Sequence, residues 1–437
     1  MDVVEAATSV DRVLGDDAFA DLVAAIVAGW RTFAPVVRDA SVVIDEVRHV
    51  DDLARGITLE QSPGSCRLRR LAEGDSRRFA WAVGPTSAKA VLHPSTRRLF
   101  AAELTDDGFT VLPGVLPDVL ADEGAEPGRG DRPLALLGLR PCDVAAMGVL
   151  GRVLNAGDGG AGGTRNGAGP GGAGGTASGD GAAEAPLVVA VNCTEPGGTC
   201  FCTSMGTGPA IDPGTHSGVD IALWERAGAD GPEYLVGHTS ERGRALLDEV
   251  ASSPTGARDV AWVQRAHHDA VGRMGTHLDT DGLPEKLLAT LASTSWDAVA
   301  ARCLSCGNCT MVCPTCFCTS VDDVASLDGG HVERWQRWDT CFSLEHSYVH
   351  GGSVRATTAD RYRQWLTHKL STWWAQFGES GCVGCGRCTT WCPVGIDLVE
   401  EATRLAAEAD TAAEAAPDAP PPATAVFLTT HPPGRPT

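Results

Sequence analysis

A chain of 437 residues exceeds one average domain and is long enough to bury a sizeable core, and its 43% hydrophobic content is that of an ordinary globular protein. Lys plus Arg number 35 against 56 Asp plus Glu, a formal charge of −21. That balance argues against a nucleic-acid partner and leaves a solvated acidic surface or docking to basic proteins.

The N-terminal MDVVEAATSVDRVLGDDAF has acids where an export signal has basic residues, and no apolar h-region follows. The longest apolar runs, such as LVVAV before Asn192, are too short to cross a bilayer. A cytoplasmic location without direct membrane insertion is expected. Sixteen Cys in such a chain read as metal ligands, because cytosolic thiols stay reduced.

In chain order, residues 1–285 read as a mixed α/β domain. A helical pattern spans Phe19 to Phe33, and strands are expected at FAWAV (Phe79–Val83) and LALLGL (Leu134–Leu139). The second strand runs through RPCD into the helical VAAMGVLGRVL, placing Cys142 in a strand–helix loop. Residues 156–185 are almost wholly Gly, Ala and small polar residues, a composition expected of a disordered surface insertion. Their glycine spacings follow a helix and open none, so they are no dinucleotide fingerprint. The buried-strand run LVVAV then leads into NCTEPGGTCFCTSMGTGP, followed by strand signals at VDIALW and EYLVG. Helical patterns at 240–250 and 260–274 complete the region. Residues 286–410 are expected to form a second domain, and 411–437, rich in Ala, Pro and Thr, a disordered tail.

The second domain carries the chemistry. Cys303, Cys306, Cys309 and Cys313, followed by Pro314, form C-x2-C-x2-C-x3-C-P, and Cys382, Cys385, Cys388 and Cys392 with Pro393 repeat it. This is the two-cluster ferredoxin run, whose fourth Cys ligates the other cluster. One [4Fe–4S] cluster is therefore expected on Cys303, Cys306, Cys309 and Cys392, and a second on Cys382, Cys385, Cys388 and Cys313. Gly307, Gly384 and Gly386 allow a tight backbone with amides free to reach sulfur. A pair of zinc knots is the alternative, although zinc sites want two separated Cys pairs. The long stretch between the copies, with RYRQWLTHKLSTWWAQF, predicts an α-helical ferredoxin domain and an α+β fold overall. Seven of the eleven Trp lie between Trp296 and Trp391, where packing around the clusters is expected.

Cys142, Cys193, Cys200 and Cys202, on loops after strands of one sheet, are candidates for a third [4Fe–4S] cluster, with small buried core thiols as the alternative. Cys316, Cys318 and Cys341 make three ligands and would need a fourth group. Cys66 stands alone, and His331, His346, His350 and His368 read as core histidines or hydrogen-bond donors to cluster sulfur. There is no G-x-S-x-G, H-E-x-x-H or P-loop, and no catalytic residue is assigned.

The stretches RCLSCGNCTMVCPTCFCTSVDDV, RWQRWDTCFSLEHSYVHGGSVR, RYRQWLTHKL and SGCVGCGRCTTWCPVGID resemble the beta subunit of sulfhydrogenase-type cytoplasmic nickel–iron hydrogenases. They are also similar to the electron-transfer subunit of anaerobic sulfite reductase. GPTSAKAVLHP, GLRPCD and NCTEPGGTCFCTSMGTGP fit the same family, extending the resemblance from Arg77 to Glu401. The resemblance implies an iron–sulfur relay with no substrate site of its own. Its partners would be a flavin, NAD(P)-binding subunit with the hydrogenase small and large subunits, or sulfite reductase subunits. A zinc-stabilised scaffold without redox role is the reading from another class.

Overall fold

The computed structural model describes residues 10–105, 108–112, 132–154 and 185–415. The Gly-rich stretch expected as an insertion falls outside these residues, apart from its last position.

The strands, in chain order, are β1 (Arg12–Leu14), β2 (Arg31–Arg38), β3 (Ser41–Val47), β4 (Ile57–Ser62), β5 (Ser65–Arg70), β6 (Thr96–Thr105), β7 (Gly108–Val111), β8 (Leu134–Leu139), β9 (Leu187–Val191), β10 (Ile221–Ala227), β11 (Pro232–His238), β12 (Ser253–Pro254), β13 (Thr319–Ala325), β14 (His331–Trp338), β15 (Tyr348–Val349) and β16 (Gly352–Ser353). Eight of them form one sheet in the order β12-β1-β11-β10-β9-β8-β2-β3. Its centre, β2-β8-β9-β10, is parallel and its flanks are antiparallel. Both LALLGL and LVVAV are buried almost throughout, as central parallel strands covered on both faces should be.

Helix α1 (Asp16–Gly29) covers one face through Phe19, Leu22, Val23 and Ile26, the i, i+3, i+4, i+7 stripe of an amphipathic helix, with Asp16 and Asp17 at its positive end. Helix α2 (Pro141–Leu154) follows β8 directly, so Cys142 sits in its first turn and not in a free loop. Asn192 and Cys193 follow β9. Cys142 and Cys193 thus leave the carboxyl ends of adjacent parallel strands, where open α/β sheets form their crevices.

Phe79–Val83 is buried as expected but joins no ladder. Side chains satisfy its backbone instead: the amides of Arg78 and Phe79 donate to the Glu225 carboxylate at 2.6 and 2.7 Å. Arg140 donates to the carbonyls of Phe79 and Trp81 at 2.5 and 2.7 Å, and Gln61 to that of Val83 at 2.7 Å. Apolar periodicity reports burial, and here burial comes without strand pairing.

The stretch between the cluster motifs is only partly helical. Helix α3 (Thr358–Thr367), opened by a Thr357–Asp360 capping box, continues through a π turn (His368–Thr372) into α4 (Trp373–Phe377). Before it, β13 and β14 form a hairpin that extends a four-stranded sheet, β13-β14-β6-β7. The β14–β6 register, His331↔Glu103 to Arg337↔Thr96, ties the inter-motif segment to residues more than two hundred positions earlier. Such a long-range ladder leaves no local sequence signal, which is why a purely helical expectation departs from the structure here. A second core, centred on Trp296, Tyr362, Trp365, Leu366 and Leu405, packs under the motifs. The last helix, α5 (Leu398–Ala415), runs past Thr411, where the tail was expected to begin, and 416–437 lie outside the described residues.

A candidate chain of thiol-lined cavities

Each cluster motif winds a loop whose tight turns are left-handed. Gly307, Gly384 and Gly386 have φ of 72°, 65° and 73°. A Cβ on Gly384 would stand 2.6 Å from the Phe201 carbonyl oxygen, and one on Gly386 closer still to that of Thr199. Ser305, the counterpart of Gly384, adopts the same region at φ 52°, its hydroxyl hydrogen-bonded with Thr358 at 3.1 Å. The amides of Ser305 and Gly384 each point at the sulfur two residues back, Cys303 and Cys382, at 3.4 Å.

Three cavities result. The first is walled by Cys303, Cys306, Cys309 and Cys392. The second is walled by Cys382, Cys385, Cys388 and Cys313. The fourth cysteine of each motif thus faces the cavity of the other copy. The third is walled by Cys142, Cys193, Cys200 and Cys202, at the carboxyl end of the large sheet. The third and second cavities share Cys385, and the second and first share Cys388. They form a row.

The linings fit iron–sulfur clusters. The Tyr362 hydroxyl and the Trp365 indole nitrogen are buried, line the first cavity and have no hydrogen-bond partner among the described residues. Buried donors of this kind are satisfied by an acceptor in the site, and cluster sulfur is one. Burial pushes the thiols of Cys382 and Cys200 up to about 12 and raises Cys142, Cys202, Cys309 and Cys388 as well. Thiols in such surroundings ionise when a metal offsets the electrostatic cost. Among the described residues, no three Cys, His, Asp or Glu side chains converge as a single ion requires. A [4Fe–4S] core takes one electron per reduction, and these linings would supply its thiolates and amide donors.

The remaining Cys divide. The Cys316 thiol hydrogen-bonds Cys313, and that bond, with Lys369 beside it, holds Cys313 well below the usual thiol range. Cys318 pairs with Cys341, whose thiol lowers Cys318 to about 6. Cys316, Cys318 and Cys341 therefore do not gather as three ligands of one site. Cys66 lies half-buried on β5, beside Gln61. His331 and His346 pair with Glu333 and Asp339, and His368 packs between Phe317 and Trp373. Trp296, Trp365 and Trp373 are buried around the motifs, whereas Trp374 is 37% exposed.

Several residues were not anticipated from the sequence. Arg387, inside the second motif, is buried, pairs with Asp143 at 2.8 Å and donates to the Gly84 carbonyl at 2.7 Å. Arg140 lines the third cavity. Lys369 lines the second and lies on the same helical face as Tyr362 and Trp365, at i, i+3 and i+7. A lysine on an otherwise apolar stripe is the signal that would have found it.

Residues 302–396 match the family described as a 4Fe-4S dicluster domain. The chain is also similar to the sulfhydrogenase 2 subunit beta of Pyrococcus furiosus, 33% identical over 221 residues, which are 49% of this chain and 61% of the relative. The chain is thus a 4Fe–4S protein resembling a hydrogenase beta subunit, and it spans less than two thirds of the curated relative's length. No solved structure matches. Among the described residues no helix is long and apolar enough to cross a membrane.

Proposed function

We propose that the chain is an electron relay built on three [4Fe–4S] clusters. In this reading the first is held by Cys303, Cys306, Cys309 and Cys392, the second by Cys382, Cys385, Cys388 and Cys313, and the third by Cys142, Cys193, Cys200 and Cys202. The observation that carries the reading is the row of cavities with Cys385 and Cys388 as shared walls. A shared ligand-bearing wall keeps neighbouring redox centres close to each other.

The two ends differ in access. At the first cavity Cys306 is exposed, and Leu304 and Val394, which also line it, are 63% and 40% exposed. We assign this end to exchange with a partner. The likeness to a sulfhydrogenase beta subunit supports a cytoplasmic hydrogenase complex, with electrons passing between a nickel–iron catalytic module of small and large subunits and a flavin subunit that handles NAD(P)H.

The test is anaerobic reconstitution of the full chain with iron and sulfide. About twelve irons per chain, reducible paramagnetic signals, and loss of about four irons in Cys200→Ser are expected. A colourless protein that binds zinc at the same cysteines would overturn the relay, and unchanged iron in Cys200→Ser would remove its third member.

A further inference from the structure

Lys369 is the one charged side chain, thiols aside, in the wall of the second cavity. It is 5% exposed, and its ammonium donates to Cys313 Sγ and to Thr315 Oγ1, both at 3.1 Å. Thr315 Oγ1 in turn donates to the Gly381 carbonyl at 2.7 Å and lies 3.2 Å from Cys313 Sγ. Among the described residues no carboxylate pairs with Lys369. A buried ammonium without a carboxylate is costly unless another anion faces it, and here the anion is the thiolate. The backbone is adapted at this point: the π turn His368–Thr372 interrupts the helix at this residue, a geometry frequent at functional sites.

The first cavity differs. Its wall holds no charged group besides thiols, and its unpartnered donors, Tyr362 and Trp365, are neutral.

A [4Fe–4S]²⁺ core with four thiolates carries a net charge of −2, and adding one electron makes it −3 without requiring a proton. A fixed cation beside one ligand stabilises the −3 state more than the −2 state, and more so in a low-dielectric interior. Hydrogen bonds to ligand sulfur act in the same direction.

We propose that Lys369 is a positioning residue that, acting through Cys313, raises the reduction potential of the central cluster above that of the first. This rests on the three-cavity relay proposed above.

The experiment is a redox titration of the iron-loaded full chain, followed by paramagnetic resonance, in wild type, Lys369→Met, Lys369→Gln and Lys369→Arg. In the Met and Gln variants one reduction step should move to lower potential by at least tenfold in the ratio of reduced to oxidised cluster at fixed potential, about 59 mV for a one-electron couple. The other steps and the iron content should be unchanged. The Arg variant should keep the wild-type step. The moving step should be the one lost in Cys313→Ser. An iron-loaded Met or Gln variant with every step in place overturns the proposal while leaving the relay intact. Loss of the central irons from both uncharged variants, with the Arg variant normal, also overturns it, in favour of a purely structural role. Wild-type chain with no reducible cluster overturns the relay itself.

Discussion

Cys303–Pro314 and Cys382–Pro393 have the same spacing, yet Leu304 in the first is 63% exposed and its counterpart Val383 is 2% exposed. The second copy is clamped between the large-sheet region and the C-terminal core. The Phe201 amide donates to the Gly384 carbonyl at 2.8 Å, Thr207 Oγ1 to that of Val383 at 2.6 Å, and the Gly64 amide of the β4–β5 turn to that of Thr389 at 3.0 Å. The first copy has solvent on one side, with Cys306 exposed and Met311 about two-fifths exposed. Spacing defines what a loop can chelate, and the surroundings decide whether it is a surface terminal or an interior station.

The largest expected effect tests the crossing of ligands between the copies. Cys392→Ser should empty the first site and spare the second, and Cys313→Ser should do the reverse, each losing about four irons by chemical assay. Loss of all clusters in either variant would mean that the sites are not separable. Next is Arg387→Ala, which strands Asp143 in the interior and should cost about 3–5 kcal/mol in chemical denaturation. Its first-motif counterpart, Asn308→Ala, loses one hydrogen bond to the Trp391 carbonyl and should cost about 1 kcal/mol. Equal effects would erase the contrast between buried and surface copies.

The turns give a smaller difference. Gly386→Ala places a Cβ against the Thr199 carbonyl in a left-handed conformation and should destabilise by at least about 1–3 kcal/mol. Ser305→Gly relieves a left-handed conformation but gives up the Ser305 hydroxyl's hydrogen bonds with Thr358 and Arg361 at 3.1 and 3.3 Å, so its denaturation midpoint should shift less than that of Gly386→Ala.

The weakest effect is in pH. In the metal-free chain the folded thiols of Cys382 and Cys200 titrate near 12 against an ordinary value of 9.0. The unfolded chain therefore loses protons first as pH rises, so folding stability is fully present below about 9 and falls between 9 and 12. Loading with iron, which holds the thiols ionised, should flatten that decline. Thermal denaturation of both forms across this range checks it.

Much of this arrangement was legible in the sequence. The C-x2-C-x2-C-x3-C-P runs named the eight thiols that the two motif cavities bring together, and LALLGL and LVVAV marked the adjacent strands that project Cys142 and Cys193 to one end of the sheet. What stayed hidden depends on partners distant in sequence. Phe79–Val83 reads as a strand because it is apolar, but Glu225, Arg140 and Gln61 hold its backbone. The β13–β14 hairpin takes shape through β6. Lys369 looks like a surface residue until its helix is rolled against the thiols.

The crossing of fourth cysteines between the two motif cavities also bears on how the chain is made. Because Cys392 faces the cavity begun at Cys303, and Cys313 the cavity begun at Cys382, neither cavity has all its walls until both motifs have been synthesised and brought together. A nascent chain that has only just exposed its first motif offers three thiols and no closed site. Completion of the two motif cavities is thereby deferred until the late segment arrives, and a product that stops before Cys382 has neither of them closed.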